Sequence, residues 1–188
     1  MVYQTNDFKK INLEERELKL SYLDLKKYVD LNWCIVTKCI ELNILNEKAI
    51  QQYAIDLLSK DVDEKSIDTS ICDDDLLDIA ILTDSYSLTI KKLLNDKCLK
   101  EDTYLIQEAQ YVLLKYLFES NISDADKLLL GEKVYVDFGY DSQLRIIFSY
   151  TSPPYPVLSD KSTKNVQKTL LNYWYDYLIE NENYFKRK

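Results

Sequence analysis

The residues of this chain best able to do chemistry are carboxylates, and they are concentrated in one place. Asp61, Asp63, Glu64, Asp68, Asp73, Asp74, Asp75, Asp78 and Asp84 share a stretch with a single base, Lys65. The excess of eight negative charges there equals the net charge of the whole chain, −8. The acidity is therefore a local feature, since all other residues together are close to neutral.

Carboxylates at such density suggest first a hard cation, Mg²⁺ or Ca²⁺. An EF-hand, however, needs carboxylates at alternating loop positions and a glycine at the sixth. This segment has neither, and three consecutive aspartates point in different directions, so a solvated helix start is the better reading of Asp73, Asp74, Asp75 and Asp78. Asp137-Phe138-Gly139 matches the kinase magnesium motif in letters only. A chain with two glycines and no histidine has no glycine-rich phosphate loop and no H-R-D segment. Without histidine, serine and cysteine lack the usual base, which excludes the classical triads. Carboxylate-pair hydrolysis stays formally open, with no spacing that singles out a pair. Cys34, Cys39, Cys72 and Cys98 form no C-x-x-C pair and read as buried free thiols. No catalytic residue, metal site or cofactor is expected.

The elements that position these residues read as helices. Asn12 with Glu15, and Ser21 with Asp24, have capping-box spacing, so short helices are expected near Leu13 and Tyr22, with Leu18-Lys19-Leu20 as an extended alternative. From Leu31 to Leu42 two apolar faces, Leu31/Ile35/Cys39/Leu42 and Trp33/Val36/Ile40, predict a central helix contacted from two sides. Asn46 caps the next, whose Ile50, Tyr53, Ala54, Leu57 and Leu58 follow helical spacing throughout. Leu76 to Leu82 is apolar nearly all round and predicts a short buried helix starting at Asp73. Its first-turn aspartates would gain about 0.3–1 kcal/mol each from the helix dipole at low salt.

Farther on, Tyr86, Ile90, Leu93 and Leu94 form a helical stripe ending near Lys97. A longer helix opens at Asp102, with Leu105, Ala109, Val112, Leu113, Tyr116 and Leu117 on its seam, and Ser123 with Asp126 caps another. Val134 to Phe138 reads as a helix ended by Gly139. The alternative is a short β-hairpin near 134–150 that pairs it with Ile146-Ile147-Phe148. A proline-rich break at 152–156 opens a loop over about 151–162, before a last helix at about Lys164 to Asn183 that buries Val166, Leu170, Trp174 and Leu178. Tyr175 and Ile179 lie about 100° or more from the centre of that face, which makes Tyr175 a secondary contact candidate.

The fold class that follows is all-α, a single-domain multi-helix bundle of antiparallel helix pairs over residues 1–188. The core should include Trp33, Ile35, Tyr53, Leu57, Leu77, Ala80, Leu113, Leu117 and Trp174. Two glycines and three prolines disfavour turn-rich architectures. The first residues carry no basic region followed by an apolar run, and no segment is long enough to span a bilayer, so a cytoplasmic location is expected. Acidity disfavours nucleic acid and anionic membranes and favours a basic protein partner.

Trp33, Leu45, the Tyr53-Ala54 helix and Leu77 to Leu82 resemble the first half of a bacterial domain-of-unknown-function family, number 2247. Tyr116-Leu117, Tyr135-Val136-Asp137-Phe138-Gly139-Tyr140 and Phe148-Ser149-Tyr150 resemble its second half. Asp141 stands where that family tends to have proline, and Ser149 where a basic or small residue is usual. The resemblance implies a helical fold and brings no catalytic residues with it. Small acidic proteins of this kind resemble immunity proteins of bacterial toxin systems.

The expected function is a non-enzymatic binder, an immunity protein that neutralises a basic toxin such as a nuclease. Its contacts would be Asp61, Asp63, Glu64, Asp68, Asp73, Asp74, Asp75 and Asp78, with Tyr175 in a secondary place. The alternatives are a helical adaptor with another partner, whose acidity serves solubility, and a metal-dependent hydrolase built on the aspartates.

Overall fold

The computed structural model describes residues 11–12, 17–59, 73–81, 102–148 and 160–185. These residues are mostly helical, with eight helices among them, and the fold is all-α. The described β-structure is limited to two two-residue strands, β1 (Ile11–Asn12) and β2 (Glu17–Leu18). The chain forms two compact units, Glu17–Ala109 and Gln110–Lys188, the second also taking the residues before Glu17.

In the Glu17–Ala109 unit, α1 (Tyr22–Tyr28) starts with the capping box that its sequence announces. The Asp24 amide donates to Ser21 Oγ at 3.1 Å, and the Ser21 amide donates to Asp24 Oδ2 at 2.9 Å. Asn32 caps α2 (Trp33–Glu41) by accepting from the Ile35 amide at 3.1 Å. Trp33, Ile35, Val36 and Cys39 are all buried, as a helix contacted from two sides requires, while Leu42 beyond its end is exposed. The helix ends in a Schellman turn: Asn43, at φ 58°, donates to the Ile40 carbonyl, and Ile44 donates to that of Cys39.

That turn leads into α3 (Lys48–Leu58), where the Asn46 side chain accepts from the Lys48 amide at 3.0 Å. Tyr53 of α3 packs edge-on against Trp33, with ring centroids 4.7 Å apart, and its hydroxyl donates to the Leu31 carbonyl at 2.9 Å. Tyr22 donates to Asp56 Oδ2 at 2.7 Å, and Lys26 pairs with the same oxygen, which ties α1 to α3. α4 (Asp73–Ile81) packs on α3 through Leu76 and Ile79, one helical step of three apart.

The expectation of an all-round buried α4 is corrected here. Leu77 is exposed and Ala80 only half-buried, because α3 covers one face of α4 and Leu77 points to the other. Leu58 is likewise half-buried at the end of α3. The helices expected near Leu13 and over Tyr86–Lys97 lie outside the described residues, as do Cys72 and Cys98. Cys39 is a buried free thiol, whereas Cys34 is only half-buried.

α5 (Asp102–Glu119) runs through the division between the units. In the Gln110–Lys188 unit it is followed by α6 (Asp124–Asp137), α7 (Arg145–Phe148) and α8 (Asp160–Phe185). α6 starts at Ser123, whose side chain accepts from the Asp126 amide. It ends in a second Schellman turn. Gly139, at φ 82°, donates to the Val136 carbonyl, Tyr140 to that of Tyr135, and the two tyrosine rings meet edge to face at 5.3 Å. This removes the β-hairpin alternative at 134–150: the amides that a strand would offer to a partner close helix and turn hydrogen bonds instead.

α6, α7 and α8 pack on one another around an aromatic chain. Phe118 meets Trp174 at 5.6 Å between centroids, Trp174 meets Phe148 at 5.1 Å, and Phe148 meets Tyr135 at 6.0 Å. Gly131 of α6 lies directly against this cluster. A Cβ there would stand 2.4 Å from Phe148 Cε1 and 2.8 Å from Trp174 Cη2. α8 is longer than its sequence pattern suggests at both ends, and its buried face begins at Leu170, leaving Val166 exposed on the overhanging first turns.

Among the described residues, burial raises the pKa of three phenols and one thiol. Desolvation pushes up the Tyr22, Tyr111 and Tyr177 phenols and the Cys39 thiol. Nearby carboxylates add to it: Asp56 for Tyr22, Glu182 and then Glu119 for Tyr111, Asp141 for Tyr177 and Glu108 for Cys39.

Two outcomes are expected. Gly131→Ala should lower stability by about 1–2 kcal/mol net, the overpacking exceeding the gain in helix propensity. Its urea midpoint should fall with the slope unchanged, and a midpoint at or above the parent's would contradict the close approach. Second, groups whose folded pKa lies above the unfolded one stabilise fully below the unfolded pKa and lose that contribution as pH rises through the folded one. Stability should therefore decline from about pH 9–10 upward, by at most about 1.4 kcal/mol per pH unit per group. Urea titrations at pH steps above neutral, followed by phenolate absorbance, check this; a flat profile into that range would refute it.

Candidate interaction surface

α4 begins where the sequence places it, at Asp73, so Asp73, Asp74 and Asp75 occupy its first turn. A carboxylate in that position is favoured by the unpaired amides of the helix start. Asp61, Asp63, Glu64 and Asp68 lie outside the described residues, and so do the side chains of Asp73, Asp74 and Asp75. Asp78 is exposed. It lies between Leu77, 52% exposed, and Ile81, 64% exposed, on the side of α4 turned away from α3.

The outward side of α4 thus joins carboxylate to bare apolar surface. Exposed leucine and isoleucine one turn apart offer a partner dehydration energy, and the Asp78 carboxylate offers charge pairing. Sequence reasoning located the acid but placed Leu77 in the core. The exposed apolar component could have been found by noting that a short helix apolar nearly all round must be covered on every side to bury all of its apolar residues, and α3 covers one.

Tyr175, the second candidate, belongs to α8 and to the other unit. It is 52% exposed, and one side of its ring meets Phe118 at 6.1 Å between centroids, tilted by 35°. Phe118 is itself steadied by Lys127, whose Nζ lies 5.5 Å from the ring and donates to the Phe118 carbonyl at 2.7 Å. Ile179, one turn on, is 44% exposed.

Three further groups were not singled out by the sequence. Asp56 accepts from both Tyr22 and Lys26. Glu108 is fully buried, and its charge bears on the Cys39 thiol. Lys38 bridges Glu41 and Asp102, joining the end of α2 to the start of α5. Glu108 stands three residues after Leu105 and four before Val112, so its place on the apolar seam of α5 was readable from spacing alone. Asp137-Phe138-Gly139 is the terminator of α6: Phe138 is its last half-turn and Gly139 its left-handed residue. Among the described residues no group of three or more His, Cys, Asp or Glu side chains is placed to hold a metal ion.

Compared with known proteins, the chain has no match among curated proteins or solved structures. One family model matches it, over residues 22–182, which takes in every described helix apart from the last turn of α8. The chain accordingly belongs to the family DUF2247, described as an uncharacterized protein conserved in bacteria.

Proposed function

We propose that this protein is a non-enzymatic cytoplasmic binder, an immunity protein that neutralises a basic bacterial toxin by covering its active surface. The observation that carries this reading is the outward side of α4, where exposed Asp78 lies between exposed Leu77 and Ile81 inside the segment holding the entire net charge. A nuclease is the target whose chemistry fits best. Its active site is basic because it holds phosphates, so a carboxylate-rich face gains both long-range steering and close complementarity against it. The apolar pair supplies what charge alone does not, a dehydrated contact that slows dissociation.

The reading predicts a gene for a secreted basic toxin beside this one, and it is tested with that purified toxin domain by stopped-flow association at low and high salt; the lack of such a gene would count against it. Replacing Asp73, Asp74, Asp75 and Asp78 with Asn should slow association several-fold at low salt and flatten its salt dependence, with the thermal melt lowered only slightly. Leu77→Ala with Ile81→Ala should instead leave the association rate near the parent's and speed dissociation. An unchanged association rate for the Asn variant at low salt would sink the proposal.

A further inference from the structure

We draw no further inference here: the strongest candidate, the surface patch at the turn from α6 into α7 where Val136, Tyr140 and Ile146 are exposed, is an unpartnered apolar face, and nothing in the structure shows what covers it.

Discussion

Helix α6 can lie on the rings of Phe148 and Trp174 only because residue 131 has no side chain, and the packing of its unit depends on that approach. With Gly131 in place, the Phe148 edge occupies space within 2.4 Å of where a Cβ would be, and Trp174 closes the other side. Phe148 then reaches Tyr135, and Trp174 reaches Phe118, so one missing methyl group sets how closely α6 meets α7 and α8. Interiors packed to crystal density have no slack to absorb such a group elsewhere. A glycine in mid-helix costs about 1 kcal/mol in propensity, and the close aromatic contacts offset that cost.

The Glu17–Ala109 unit is organised differently, by polar ends on aromatic bodies. Tyr53 presents an edge to Trp33 and a hydroxyl to the Leu31 carbonyl, while Tyr22 buries its ring and donates a hydrogen bond to Asp56. Each tyrosine contributes apolar area and then fixes register through one directed bond. Such groups tie α1, α2 and α3 to one another, while Leu77 and Ile81 of α4 stay exposed.

Much of the helical framework was legible in the residues because it rests on local physics. Ser21 with Asp24 and Ser123 with Asp126 cap helices by side-chain bonds that span three residues, and Gly139 ends α6 by supplying a backbone shape that other residues resist, whereas the Asn32 cap of α2 was not read. The acidic segment and the exposure of Tyr175 were readable for the same reason, one from charge and the other from helical angle. Leu77 and Val166 were misplaced because apolar character states only that a side chain can be buried.

What the sequence determined by itself is therefore the existence and type of the described helices other than α7, the caps at Ser21 and Ser123, the place of the charge, and membership of a helical family. Hydrogen-bond capping and periodicity act over a few residues and leave their marks in order along the chain. Tertiary structure alone decided which faces are covered: α3 takes Leu76 and Ile79 but not Leu77, and α8 meets the core from Leu170 onward but not at Val166. It also decided that Gly131 is a contact and not a flaw in a helix. Those outcomes depend on which neighbour arrives and from what side, and residues distant in the chain carry that information only jointly, through the packing they make together.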